Sequence, residues 1–558
     1  MQERNTPPAG NTLAAIDMGS NSFRLEIAQL QHGRYRRVDY LKDMVRLGGG
    51  LDAEGLLTEE AVQRGLACLR RFAARLAGFE PGQVRAVATQ TLREARNRNA
   101  FLLRAQQALG FPIEVISGRE EARLIYAGVA HLQPSEDTRL VIDIGGRSTE
   151  LILGRGRLPL VAESFGVGCV GLSMRFFGDG RLTQQGFRAA QVAAGAELEE
   201  ALQLFASDRW QKALGSSGTA GSVSHVLHDA GITDGRITPD GLRWCIERCL
   251  EAGHLSRIEL PGLKAERRAV LPGGLAILYT LATHFGIGEL WPAKGALRQG
   301  VIIDLHERID AVQHVLPGDM RDASVTELQR RFDVDEGQAG RVASIAMALF
   351  DAALPDPDPE TRRDLGWACA LHELGLMVSH HDHHRHSAYL LAHVDAPGFS
   401  QSQQRRIADL VLGQRGGLRK LEPQLASETF AWQVICLRLA AIKCHARGEV
   451  SSTALSLRAK GREAVLGFSP RWTETHPRTL YLLQEEAAVW ARSGPLHLVL
   501  PQPGRTRPQR PGRLPAYSWS GPITACSTTC KPVSRWRARS HHTPPLRTDQ
   551  ACGSPDNR

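Results

Sequence analysis

At 558 residues, 42% hydrophobic and 23% charged, the chain has material for three or four domains with packed cores. Its formal net charge of +9 invites a polyanion reading, yet +8 of it falls in residues 503–558, so bulk charge says little about what the nearly neutral remainder binds. No apolar run approaches the roughly 20 residues of a membrane span, and ten scattered cysteines without a C-x-x-C pair indicate neither a zinc ribbon nor a disulfide framework.

The start, Met1 to Asn11, is polar and lacks a signal-peptide-like apolar stretch, so a reducing cytoplasm is expected. Ala14-Ala15-Ile16-Asp17-Met18-Gly19-Ser20-Asn21-Ser22-Phe23 then reads as strand, Asp, glycine, hydroxyls and strand, continued by Leu25, Ile27 and Leu30. Arg34 to Lys42 supplies more strand, and Leu47-Gly48-Gly49-Gly50 a loop. Thr58 is placed to N-cap a helix whose apolar spacing runs through Ala61, Leu66, Leu69, Phe72 and Leu76. A strand at Val84 to Ala88 ends in Thr89-Gln90-Thr91-Leu92-Arg93. After a helix around Asn99 to Leu109 and a strand Ile113 to Ile116, Ser117-Gly118-Arg119-Glu120-Glu121-Ala122 enters another helix.

Leu140 to Glu150 repeats the opening pattern. An apolar run ends at Asp143, Gly145 and Gly146 turn the chain, and Ser148, Thr149 and Glu150 lead into Leu151, Ile152 and Leu153. The tip of such a hairpin offers backbone N–H groups, two hydroxyls and two carboxylates, which together hold phosphate oxygens and a hydrated cation. Two units of this kind about 125 residues apart suggest two related lobes facing one phosphate site.

Further on come strand-like Val161 to Phe165, helices around Gln184 to Phe205, and a strand running into the small-residue turn Gly215-Ser216-Ser217-Gly218-Thr219. Helical segments pass through Pro272-Gly273-Gly274 to Gly295-Ala296-Leu297-Arg298-Gln299. From about Leu305 strand signals vanish, and helical periodicity runs to about Cys444. It contains a His-rich stretch with His372-Glu373 and His380 to His386. Roughly Ser452 to Leu500 alternates again. Residues 503–558, rich in Pro, Arg and Ser, read as disordered.

Five motifs occur in order: Asp17-Met-Gly-Ser-Asn-Ser, Ala88-Thr-Gln-Thr-Leu-Arg-Glu-Ala, Ser117-Gly-Arg-Glu-Glu-Ala-Arg, Ile142-Asp-Ile-Gly-Gly-Arg-Ser-Thr-Glu and Gly215-Ser-Ser-Gly-Thr. Together they resemble the exopolyphosphatase / guanosine pentaphosphate phosphatase family of the actin-like ATPase superfamily. The Pro272, Gly295 and His384-Arg-His-Ser-Ala-Tyr segments match its long, four-domain members. The resemblance implies an α/β fold of two actin-like (ribonuclease H-like) lobes, 12–125 and 126–305. An all-α HD-like domain, 306–448, a small α/β domain, 449–502, and the disordered tail, 503–558, would follow.

The resemblance also implies roles. Glu121 is the acid/base that activates the attacking water, while Asp143 and Glu150 hold Mg²⁺. Asp17, Gly19, Ser20, Asn21, Ser22, Gly145, Gly146, Ser148, Thr149, Gly218 and Thr219 hold the terminal phosphates, which Arg93 helps neutralise. K⁺ is a second candidate ion. The expected substrate is inorganic polyphosphate, cleaved processively from its end, with guanosine pentaphosphate as the alternative. A homodimer, no specific nucleic acid and at most peripheral contact with the inner face of the cell membrane are expected.

Other readings of the same residues stay open. Asp17 and Asp143 beside glycines are also turn formers. Glu120 is as available as Glu121, since either favours a helix N-terminus. A binding-only sensor of polyphosphate or nucleotide is the non-enzymatic alternative. Arg147 stands where the family has a third glycine, so either it is strained at positive φ or its guanidinium points at the phosphates. Lys294 and Gln299 replace carboxylates of the long members. The His cluster lines a polyanion path, makes structural hydrogen bonds or, where the HD pair reads His372-Glu373, holds a second metal. The tail is a basic arm or an unselected extension.

Overall fold

Each of the two hairpins seeds a sheet. β1 (Thr12–Met18) pairs antiparallel with β2 (Phe23–Gln31), which pairs with β3 (Arg34–Asp43). On its other side β1 runs parallel to β4 (Val84–Ala88), and β4 to β5 (Ile113–Val115), giving the order β3-β2-β1-β4-β5. The second sheet repeats this. β6 (Thr138–Ile144) pairs antiparallel with β7 (Thr149–Arg155) and parallel with β9 (Lys212–Ser216), flanked by β8 (Leu158–Phe165) and β10 (Leu290–Pro292). This duplicated mixed sheet is the architecture that the actin-like resemblance implies. The computed structural model describes residues 12–31, 33–314, 319–448, 455–468, 472 and 475–501. The tail read as disordered lies outside the described residues.

Local signals explain most of the elements. β1 is buried along its whole length, as a near-continuous apolar run between covered faces must be. The Thr58 hydroxyl accepts from the Ala61 N–H, and the Ser117 hydroxyl from the Glu120 N–H at 3.1 Å, capping the helices Glu59–Arg75 and Gly118–Leu132. Two expectations differ in detail. The polar exit after β4 winds into a short helix, Gln90–Glu94, and the small-residue turn after β9 is already the first turn of a helix, Ser217–Asp229. β10, three residues long, carries too little periodicity to be read in advance.

The sheets share an apolar cluster in which Leu13 and Ala15 of β1 meet Val141 of β6, closed by Ile125, Val129, Val301 and Ile302. Those last four belong to the helices Gly118–Leu132 and Leu297–His314, which cross backbone to backbone. A Cβ at Gly300 would lie inside the Leu124 carbonyl, and one at Gly128 would collide with the Ala296 carbonyl. Only glycine permits that approach, which fixes the height of the helix carrying Glu120 and Glu121.

Among the described residues no strand lies between β10 and β11 (Leu455–Lys460). Helices including Glu336–Ala353, Pro359–Leu371, Gln401–Gly413 and Glu428–Lys443 build one core around Trp432. β11, β12 (Glu463–Phe468), β13 (His497–Val499) and the helix Pro477–Ser493 add Leu457, Leu466, Leu498, Leu483 and Trp490 to that same core. No helix among the described residues is long and apolar enough to cross a membrane.

The glycine contact gives a paired test. Gly300→Ala should destabilise the protein by about 1–3 kcal/mol or more through overpacking. Gly340→Ala, in an exposed helical position with nothing within 4 Å of the new methyl, should stabilise it by about 0.5–1 kcal/mol. Urea unfolding of both variants reads the difference in sign.

Candidate active site

The tips of the two hairpins abut. A methyl at Gly146 would stand 3.0 Å from the Ser20 Cβ and 3.6 Å from the Asn21 nitrogen. Their carbonyls are turned into hydrogen bonds with neighbouring loops: Ser20 accepts from the Gly48 N–H at 2.8 Å and Asn21 from Arg46 at 2.9 Å, while Gly145 accepts from Cys169 at 3.0 Å and Gly146 from Val170 at 2.8 Å. Tying the oxygens there reduces the negative potential facing an anion between the tips.

Between the tips lies a cavity of about 80 Å³, room for several waters. Asp17, Gly19, Ser20, Asn21 and Ser22 line it from the first lobe and Asp143, Gly145, Gly146 and Ser148 from the second. Glu121 and Gly218 complete the expected residues that reach it. Four others do not line it. The Thr149 hydroxyl donates to the Val167 carbonyl at 2.6 Å, and the Thr219 hydroxyl to the Ile144 carbonyl at 3.0 Å, so both brace the hairpin. Glu150, opposite Asp143 across the β6–β7 pair, is buried behind the cavity and accepts from the Ser164 hydroxyl at 2.7 Å. Arg93 reaches Glu121 instead, its guanidinium 2.9 Å from the carboxylate.

Burial pushes the Glu121 carboxyl up to about 7; Arg93 opposes the shift, and Asp17 and Asp143 add to it. Burial raises Asp143 as well, partly offset by the Ser216 and Ser217 hydroxyls. Glu150 is raised well above the ordinary carboxylate range by burial and then by Glu121 and Asp143. These acids are close enough to resist ionising together. Glu120 faces elsewhere, so of the two adjacent glutamates only Glu121 lines the cavity.

Three arginines at the cavity were not singled out from sequence. Arg24 lies opposite Asp17 in the β1–β2 register and 3.8 Å from its carboxylate; Arg298 approaches the same carboxylate at 3.5 Å. Arg267 lies over Gly218. Burial and the neighbouring Arg298 lower the Arg24 pKa, and its Nε has no hydrogen-bond partner. Arg24 carries a sequence signal, since it follows Ser22 by two in the strand; Arg267 carries none. Ser217, also at the cavity, sits at φ +70°, a strained conformation for a non-glycine residue.

A model of the Ppx/GppA phosphatase family matches residues 26–309, and a model of Ppx/GppA phosphatase domain III matches residues 320–487. The chain belongs to the Ppx/GppA phosphatase family. Among solved structures it is similar to a PPX-GPPA enzyme of Aquifex aeolicus (25% identity over 52% of this chain and 98% of that one, TM-score 0.45) and to an exopolyphosphatase of Cytophaga hutchinsonii (24%, 54% and 98%, TM-score 0.48). An exopolyphosphatase-like protein matches at 25% identity over 53% of this chain and 98% of its own, TM-score 0.48.

Arg147, Gln299 and Lys294 have defined places. Arg147 is not among the positive-φ residues, and its guanidinium does not line the cavity; it pairs with Glu94 of the first lobe at 2.7 Å and donates to the Gly48 carbonyl at 3.3 Å. Neither strain nor a contact aimed into the cavity follows from it. Gln299 donates to both oxygens of buried Glu26, at 2.8 and 2.7 Å, where Arg298 also binds. The Lys294 backbone N–H donates to the Gln133 side chain.

In the helical region His372, Glu373, His380 and His383 line a second cavity of about 410 Å³. The His372 Nδ1 is 2.7 Å from the Cys369 carbonyl, and Arg447 pairs with Glu373 at 2.6 Å. Among the described residues no group of three or more His, Cys, Asp or Glu is disposed to hold a metal.

The pKa of Glu121 is testable directly. Arg93→Ala should move its titration upward from about 7, because the guanidinium favours the ionised form, and Asp143→Asn should move it down. Carbon-13 NMR of glutamate-labelled protein across pH 4–9 checks both signs.

Proposed function

We propose that this Ppx/GppA phosphatase is an exopolyphosphatase, removing terminal orthophosphate from inorganic polyphosphate. One observation carries the reading: a carboxyl poised near 7, Glu121, lines the same small cavity as the glycine corners of both hairpins. A general base works best with a pKa near the working pH. In its ionised form Glu121 takes a proton from a water whose oxygen attacks the terminal phosphorus; the bridging P–O bond breaks and the shortened chain leaves as the anion. Ser20, Ser22 and Ser148 and the hairpin tips orient the terminal phosphate, while Arg24, Arg267 and Arg298 face its charge. Arg93 holds Glu121 ionised and aimed.

Mg²⁺ belongs to the proposal, with K⁺ as a second ion. Asp143 is the cavity-facing donor, and Glu150, opposite it across the β6–β7 pair, is the second carboxyl within reach of an ion there. Mg²⁺ is characteristically held by one or two carboxylates together with substrate phosphates and waters, and Asp143 offers one such carboxylate at the cavity. When bound it supplies positive charge to the non-bridging oxygens. Thr149, Gly218 and Thr219 act in this reading mainly by shaping the corners around the cavity. The helical region is proposed as an HD-like domain that extends the path of the remaining polymer, with the strands β11–β13 packed into its core instead of forming a separate domain. A cytoplasmic homodimer completes the reading. Guanosine pentaphosphate is the alternative substrate, since its terminal phosphate needs the same groups.

Glu121→Gln should lose about 10²–10⁴-fold in kcat. In the wild type kcat/KM should rise with pH through about 7, the direction set by Glu121 acting deprotonated. Phosphate release with long polyphosphate and guanosine pentaphosphate in competition decides the substrate. Equal background release from the wild type and Glu121→Gln would favour a binding-only sensor. Because Arg147 joins Glu94 instead of the cavity, Arg147→Gly should turn over within about twofold of the wild type in the same assay, its main effect being loss of a partly exposed ion pair worth about 0–1 kcal/mol.

A further inference from the structure

Glu120 is almost wholly buried, and the mechanism above does not use it. It precedes Glu121 in the first turn of the helix Gly118–Leu132 and, at about 100° per residue, points away from the cavity. Its carboxylate accepts from Arg123 Nε at 2.7 Å and Nη2 at 2.8 Å, and from the backbone N–H of Gly398 at 2.8 Å. Gly398 lies in the helical region, 278 residues along the chain. The carbonyl of the same glycine accepts from Arg308 at 2.7 Å, and Arg308 Nε donates to Asp304 at 2.7 Å. Asp304 also binds Arg85 of β4 at 2.6 Å and pairs with Arg123, closing a ring of buried charges under the helix. A second tie lies one residue earlier, where Arg119 bridges Glu163 of β8 and Asp395, each at 2.7 Å.

We propose that Glu120 is a positioning residue, through which the 395–398 loop of the helical region sets the orientation of Glu121. The proposal rests on the reading of Glu121 as the base. The loop has little freedom of its own. Gly398 sits at φ +88°, and a Cβ there would come 2.9 Å from the Arg321 side chain and 3.0 Å from its backbone nitrogen. Arg321 is itself buried in a chelate with Asp319 and Glu360. A rigid loop thus grips a residue adjacent to the base by a backbone hydrogen bond to a buried carboxylate, a charge-assisted contact that is short and directional. The helix cannot turn or slide about Glu121 without breaking it. Arg93, Asp17 and Asp143, which shift the Glu121 pKa besides burial, and the neighbouring Glu150 all lie outside this ring, so it acts on geometry and not on protonation.

The test compares full-length wild type, Glu120→Gln, Glu120→Ala, Gly398→Ala and Glu121→Gln, with polyphosphate and guanosine pentaphosphate each as substrate. Thermal melting is measured alongside, and assays run well below every melting temperature. Glu120→Ala and Gly398→Ala should lose kcat by about 10²-fold, the cost of roughly an ångström of misplacement, with KM within twofold of the wild type. Glu120→Gln keeps an acceptor for the Gly398 N–H and should recover most of that loss. The acid limb near 7 should stay in place in all three. Lower melting temperatures with wild-type kcat would overturn the proposal while leaving the reading of Glu121 intact, provided Glu121→Gln is inactive. Wild-type turnover by Glu121→Gln would remove both.

Discussion

Crowding of buried carboxylates is the constraint on which the site depends. Asp17, Asp143, Glu150 and Glu121 converge from β1, β6, β7 and the helix Gly118–Leu132, and burial raises the last three before they repel one another. Alone, such a group would be a serious cost to the fold. Arginines on the surrounding elements offset it: Arg93 against Glu121, and Arg24 and Arg298 against Asp17. The balance is incomplete, because Arg24 Nε and Arg93 Nη2 are buried without a hydrogen-bond partner. Of the two, only Arg24 lines the cavity, so its Nε is the donor left for a ligand there to engage.

The same constraint explains why two lobes are needed. Both hairpin tips line the one cavity, and neither lines it alone. Their closeness depends on small residues, Gly146 against Ser20, and on neighbouring loops that engage the tip carbonyls. Arg147, whose guanidinium reaches Glu94 and the Gly48 carbonyl, joins the lobes beside the tips. Its charge is used to join the halves.

The helical region connects to this site through charge rather than through apolar surface. Its own core is separate from the cluster between the sheets. The ring of Arg85, Glu120, Arg123, Asp304 and Arg308 lies on the lobe side of the junction and takes hold of the helical region through the backbone N–H and carbonyl of Gly398. Buried ion pairs of this kind are weak evidence for net stability, since desolvation cancels much of their attraction. Their value is directional, because removing one partner leaves a charge stranded and a slipped geometry is penalised steeply.

The local part of this protein was determined by its sequence alone. Alternation and glycine corners specify both hairpins, Thr58 and Ser117 announce their helices, and the repeated strand–Asp–Gly pattern foretells paired lobes, because each depends on residues a few positions apart. Tertiary structure decided everything that depends on approach in space. It separated Glu121, at the cavity, from Glu120, on the ring to Gly398, though the two are neighbours in one helical turn. It brought in Arg267 and Arg298, turned Arg147 to Glu94, and bound the hydroxyls of Thr149 and Thr219 to backbone carbonyls. A side chain's charge is written in the sequence, but the partner that claims it is set by packing between segments hundreds of residues apart.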